Sequence, residues 1–192
     1  MLTGSGADDT VNTMAVRKIL KFPDPILKET ALVVRNIDSQ VDELVSDMLE
    51  TMYAAPGVGL AAPQLGVSER IIVLDVGEEK GKNIIKLVNP VIAEKEGSIT
   101  WEEGCLSVVD FTENVERANR ILVKGWTTDE KEIQIEAEAF LAVALQHEID
   151  HLDGKLFIDR ISRLKRDIYR RRVKKWIKEG VPLEDKKPTV HI

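Results

Sequence analysis

The stretch that most limits what this chain can fold into is residues 139–151. Residues 139–145 are apolar without interruption and run straight into Gln146-His147-Glu148-Ile149-Asp150-His151. A helix that is apolar on every side cannot lie on a surface, so the predicted helix over 137–153 must be buried on all faces. Glu136 and Glu138 near its start and Gly154 just past its end mark its limits. Within it, His147 and His151 are four residues apart and therefore share one face, one turn from each other. Both imidazoles can reach one metal ion. Glu148 sits about 100° around the helix from His147, beside such an ion and outside the ligand row. The plain alternative is a pair of buried histidines hydrogen-bonded to their neighbours.

A buried helix needs layers around it. Residues 71–76, 83–89, 91–99, 120–126 and 132–136 are β-branched runs bounded by Gly, Asn and Pro and are predicted strands. The polar segment 127–131 is hairpin-sized. Val41, Leu44, Val45, Met48 and Met52 recur at helical spacing after Asp38 and Ser39, which predicts a helix over 39–53. Residues 56–64 form a Gly-rich loop. A last helix spans 162–178, with Ile161, Leu164, Ile168, Val173, Trp176 and Ile177 as its expected apolar stripe. The pattern predicts an α+β fold. Antiparallel or mixed β-sheets pack around a central buried helix carrying His-Glu-x-x-His, with N-terminal helices and a C-terminal helix.

Length and charge set the boundaries. At 192 residues the chain fits one domain. Residues 1–13 are polar, with Gly and Ser, and are expected to be a disordered extension or a cloning scar. The catalytic unit is expected over 14–179, with a loose tail over 180–192. The longest apolar run is far below the roughly 20 residues of a membrane-spanning helix, so no membrane partner is expected, and no DNA. Net charge is -6, yet residues 160–178 carry ten basic side chains against Asp167 alone. An acidic body with one basic segment suits a polyanionic partner, although a solvated helix face explains the same pattern.

Cys105 is the only cysteine, which excludes an internal disulfide. One thiolate with two imidazoles makes a three-ligand site with its fourth position open, the catalytic and not the structural arrangement. An isolated cysteine is otherwise a small apolar core residue. Gly57-Val58-Gly59-Leu60-Ala61-Ala62-Pro63-Gln64 permits close backbone approach, and Gln64 can donate two amide hydrogens.

Taken together, Gly57 to Gln64, Glu103-Gly104-Cys105-Leu106-Ser107 and Gln146 to Gly154 resemble the peptide deformylases, in the family's order and with every fixed position matched. Pro23-Asp24-Pro25 and the Asn89-Pro90 junction are similar too, and the resemblance covers about 16–161. It implies a hydrolase that removes the N-formyl group from the initiator methionine of nascent polypeptides and releases formate. It implies Cys105, His147 and His151 as metal ligands and Glu148 as the proton carrier. The Gln64 amide and the backbone N–H of Leu106 would then face the oxyanion. The substrate is expected to bind extended between Val58-Gly59 and Gly104. Val143 and Ala144, one turn before His147, are expected to wall the methionine pocket, with Trp101 as a further candidate. Arg117 is expected to pair with Glu103 and brace the cysteine loop. The chain departs from the family where Val109 and Asp110 replace a frequent proline and its turn.

The ligand set suits Fe(II), Zn(II), Ni(II) or Co(II), and the resemblance implies iron in the cell and a cytoplasmic location. It also makes the basic C-terminal helix a candidate ribosome-docking element. Two rival readings remain at this level: a zinc endopeptidase, which shares His-Glu-x-x-His, and a non-catalytic metal-stabilised module that binds the ribosome.

Overall fold

The computed structural model describes residues 15–77 and 79–183. The predicted extension 1–13 and the tail beyond 183 lie outside the described residues. Helix α1 (Ser39–Ala54) starts where the Asp38 carboxylate accepts the Gln40 N–H at 2.9 Å, satisfying one orphan donor of the first turn. Its Val41, Leu44, Val45, Met48 and Met52 are all buried. The strands follow as β1 (Gly59–Ala61), β2 (Ile71–Asp75), β3 (Ile84–Glu96), β4 (Ile99–Cys105), β5 (Val108–Arg117), β6 (Arg120–Trp126) and β7 (Glu132–Glu138). Helices α2 (Ala139–Leu152) and α3 (Arg163–Lys178) complete the chain.

Five strands form one antiparallel sheet in the order β1-β2-β3-β6-β7, and β4 pairs with β5 in a separate hairpin. The fold is the expected α+β class. Helix α2 lies against the five-stranded sheet, and every residue from Ala142 to Leu152 is buried. The first turn departs from the expected burial on every face: Ala139 is exposed and Phe140 and Leu141 are only partly buried, because the helix enters the core from the end of β7.

Several boundaries differ from the predicted ones, each for a physical reason. The two strands predicted over 83–89 and 91–99 are largely one strand, β3, bent at Asn89-Pro90. Asn89 has a left-handed φ of 52°, and the pairing register shifts between Val88 and Val91. Proline is tolerated at such a bulge because it has no N–H to lose from the ladder. The Asn89 side chain secures the bend by exchanging two hydrogen bonds with the Val34 backbone, at 2.8 and 2.9 Å. Helix α2 begins at Ala139, not 137, because Ala137 and Glu138 pair with Ile121 and Arg120 as the end of β7.

The hairpin β4–β5 was not expected as strands. Its inward positions include Glu103 and Arg117, both buried, so the apolar alternation that marks a strand is broken where the chain places charge. The stripe of α3 also differs. Tyr169 and Val173 face inward while Leu164, Ile168 and Ile177 are more than half exposed. Aromatic packing decides this: Tyr169 stacks on Phe111 with centroids 4.7 Å apart and lies 6.0 Å from Phe22.

Candidate metal centre and active site

Cys105 ends β4 and pairs with Val108 across a tight turn. This turn carries the thiol into the face of α2 that presents His147 and His151. The three ligand atoms lie within 4.8 Å of one another, and all three residues are buried. Cys105 Sγ is 3.3 Å from His151 Nε2. Tetrahedral coordination with ordinary metal–sulfur and metal–nitrogen bonds requires a sulfur–nitrogen separation of roughly 3.5 Å. The residues therefore fit a bound divalent ion. Burial pushes the His151 imidazole well below its ordinary pKa, whereas the His147 imidazole, also buried, is held well above it by Cys105 and Glu103.

His147 is oriented from behind. Its Nδ1 meets Glu103 Oε2 at 2.9 Å, leaving Nε2 for the ion. Glu103 is gripped by Arg117 through two hydrogen bonds of 2.6 and 2.8 Å. This is the expected Glu103–Arg117 brace, and it is fully buried. The network then goes further than the sequence suggested. Arg117 also bonds Asp150, and Asp150 receives Arg160. Burial opposes charge on Glu103 and Asp150, but the guanidinium groups hold both carboxyls below their ordinary pKa. Arg160 thus lies before α3 and serves Asp150, so it does not belong to the basic face of that helix. The signal for this link was Asp150 itself, an acidic residue inside a helix that must be buried.

Glu148 is buried, and its Oε2 has no hydrogen-bond partner among the described residues. Burial raises its pKa to about 7. The carboxylate lies directly on the backbone of Gly59: a Cβ there would stand 2.4 Å from Glu148 Oε1. Glycine at 59 is thus a requirement of close approach. Gln64 is held in the short 3-10 turn Ala62–Leu65 after β1. Its Oε1 accepts the Ala61 N–H at 2.8 Å, which directs Nε2 toward Ser107 Oγ at 3.1 Å and Cys105 Sγ at 3.7 Å. Leu106 is buried in the turn, and its carbonyl accepts Lys21 Nζ at 2.7 Å.

The N-terminal segment stitches these parts together. The Leu20 N–H donates to Gln64 O and the Phe22 N–H to Ser107 O, both at 2.8 Å. Nothing in the sequence pattern pointed to this role, because an extended segment without regular periodicity announces no partner. Gly59 opens β1, the outer strand of its sheet, and Val58 immediately precedes it, its carbonyl accepting the Asp75 N–H at 2.8 Å. Gly104 is buried within β4 beside Cys105. Val143 and Ala144 are fully buried in the cluster around α2. At the edge of that cluster Trp101 and Phe140 pack with ring centroids 5.3 Å apart.

Known proteins resemble this chain in sequence and fold. A family model described as polypeptide deformylase matches residues 16–167. The peptide deformylase of Syntrophobacter fumaroxidans is 50% identical over 168 residues, covering 87% of this chain and 99% of that protein. That of Thermodesulfovibrio yellowstonii is 50% identical over 162 residues, covering 84% and 98%. Among solved structures, a Legionella pneumophila peptide deformylase superposes with a TM-score of 0.80 at 46% identity, covering 86% of this chain and 98% of that one. The Ehrlichia chaffeensis enzyme in complex with actinonin also gives 0.80, at 39% identity, with coverage of 84% and 98%. The buried Cys105–His147–His151 cluster, the Glu148 carboxylate against Gly59 and the extent of these matches lead to one conclusion: the chain belongs to the polypeptide deformylase family.

Proposed function

We propose that this chain hydrolyses the N-formyl group of the initiator methionine on nascent polypeptides and releases formate. The observation that carries the reading is an orphaned, buried carboxylate, Glu148, one residue from a ligand in a Cys105–His147–His151 cluster. Neither a purely structural metal site nor a buried histidine pair needs that carboxylate. A divalent ion held by the three ligands lowers the pKa of water from near 16 toward roughly 7 and so makes a nucleophile available at neutral pH.

The chain's own residues do the rest. Glu148 takes the proton from the attacking water and passes it to the leaving amine. The Gln64 side-chain amide and the Leu106 backbone N–H donate hydrogen bonds to the oxygen of the formyl group as charge builds on it. Each such donor is worth about 3 kcal/mol of barrier. The peptide extends along the free edge of β1 at Val58-Gly59 and faces Gly104 on β4, held by main-chain hydrogen bonds that read little sequence. Val143, Ala144 and Trp101 shape the methionine site.

Thiolate with two imidazoles accepts Fe(II), Zn(II), Ni(II) or Co(II). We assign Fe(II) as the ion in the cell, as the family resemblance implies. The reaction itself is hydrolytic, but a thiolate beside ferrous iron is open to oxidation by O2, so activity of the iron form should decay in air. The catalytic unit spans 14–179, in the cytoplasm where formylated chains emerge. Among the described residues no helix is long and apolar enough to cross a membrane.

The outer face of α3 presents Arg163, Arg170, Arg171, Lys174 and Lys175 to solvent. We assign it to docking on the ribosome, a polyanion. Such docking weakens steeply with salt and is lost when these residues are neutralised.

The deciding experiment pairs metal analysis with formate release from a formyl-Met dipeptide. Bound metal at one equivalent with formate produced is expected. Cleavage of an internal peptide bond without formate release would instead establish the endopeptidase reading.

A further inference from the structure

The hairpin that carries Cys105 is irregular beside the ligand. Going from Glu103 to Cys105, β4 advances two residues, while its partners on β5 run from Glu113 to Val108, five residues. The surplus chain bulges out opposite Gly104. Within the bulge Asp110 takes a left-handed φ of 51°, a conformation that aspartate reaches more readily than most L-residues. Two hydrogen bonds from α3 pin the bulge. Tyr169 Oη donates to the Val109 carbonyl at 3.2 Å. Arg172 Nη2 donates to the Asp110 carbonyl at 2.7 Å. Phe111, the next residue, stacks between Tyr169 and Phe157, and the Arg172 guanidinium lies 5.6 Å from its ring centre. Lys165 closes the far end on Glu113 at 2.8 Å.

We propose that Tyr169 and Arg172 of α3 are positioning residues for the metal-binding turn: by holding the Val109 and Asp110 carbonyls they set where Gly104, Cys105 and Leu106 lie. Neither touches substrate or metal. They act through a bulge adjacent to one ligand, one oxyanion donor and one substrate-pairing backbone. The C-terminal helix is on this account part of the catalytic apparatus, and its inner face has a task separate from its basic outer face.

The test uses full-length protein loaded with cobalt, whose thiolate-to-metal absorption band reports the geometry at Cys105. Three readouts are taken: that band, the rate of cobalt loss to a chelator, and kcat/KM on a formyl-Met dipeptide. Only the last rests on the deformylase reading; the first two stand without it. Arg172→Met keeps the aliphatic stem and removes the hydrogen bond. It should shift the band and change cobalt loss and kcat/KM each by about 10-fold, the usual scale for groups that orient a metal ligand. Tyr169→Phe keeps the ring stack and should give a smaller change of the same kind, and Arg172→Lys should recover part of the loss. Leu164→Ala, at an exposed position of the same helix, should change none of the three.

If Arg172→Met does not fold, Tyr169→Phe decides by the same readouts. A lowered thermal midpoint with an unshifted band, and with metal loss and kcat/KM within about twofold of the parent, would show that α3 contributes stability alone and would overturn the proposal. Loss of kcat/KM with an unshifted band and unchanged metal loss would also overturn it, since the effect would then bypass the turn.

Discussion

The helices α2 and α3 are of similar length and opposite construction. Helix α2 is apolar all round for its first half and then buries five polar side chains in succession around the site: Gln146, His147, Glu148, Asp150 and His151. Helix α3 is charged nearly all round and buries only Tyr169 and Val173. Gln146, His147 and Asp150 are partnered through Ala118, Glu103, Arg117 and Arg160, whereas Glu148 Oε2 and His151 Nδ1 are buried with no hydrogen-bond partner among the described residues. The charges of α3 are mostly solvated, with loose pairs such as Arg163–Asp167 at 3.6 Å. The same residue types therefore have very different worth. A buried ion in low dielectric is expensive to leave unpaired, whereas an exposed pair is screened to little value.

That contrast can be broken at specific points. The largest effect is expected at Glu148→Ala, which should cut kcat by about 10³- to 10⁴-fold while metal content stays at one equivalent. Retained turnover would mean the orphaned carboxylate of α2 has no chemical role. Next is Arg117→Met, which takes both guanidinium hydrogen bonds from the buried Glu103 and leaves it only His147, while Asp150 keeps Arg160. A loss of about 3–5 kcal/mol of unfolding free energy is expected from urea titration, and a loss below 1 kcal/mol would show that water reaches the network. Gly59→Ala tests the approach of β1 to α2. Its Cβ needs space held by the Glu148 carboxylate, and a displacement of that size costs roughly 10²-fold in kcat/KM. Kinetics with unchanged metal content would separate this from general damage.

Helix α3 supplies the small end of the scale. The Lys165 ammonium holds the Glu113 carboxyl below its ordinary pKa. Because the folded value is depressed, the pair's contribution is present above the unfolded value near 4.5 and fades as pH falls through the folded one. Glu113→Gln should thus lower the unfolding free energy slightly at pH 7, by under about 1 kcal/mol, and leave it unchanged near pH 3. Neutralising Arg170 and Lys174 should move stability by no more than about 0.5 kcal/mol.

The centre was legible because its parts are local in sequence. The four-residue spacing of His147 and His151, with Glu148 between them, dictates their placement on any helix, and the apolar run before them dictates burial. Cys105 stood out by scarcity, whereas Gln64 in its Gly-rich turn was a weak signal alone and took its role only from the family resemblance. The strands β4 and β5 were illegible for the converse reason. Glu103 and Arg117 occupy positions that face inward, so charge appears where periodicity demands apolar residues. The buried face of α3 was misplaced because Leu164, Ile168 and Ile177 outrank Tyr169 on hydrophobicity, while the partners that bury Tyr169, Phe22 and Phe111, come from distant parts of the chain.

By itself, then, the order of residues determined a buried helix with two imidazoles on one face, a single thiol able to join them, and an α+β frame. These follow from turn geometry and from the burial that unbroken apolar runs demand. Only the tertiary structure decided that Lys21, Leu20 and Phe22 sew the glutamine turn to the cysteine turn, that Arg160 leaves the basic segment to serve Asp150, and that α3 grips the bulge beside Cys105. Arg160 and Asp150 are ten residues apart across the end of α2 and the others are more than forty apart, and no local rule can announce such contacts, because the energy that selects them exists only once the chain has closed on itself.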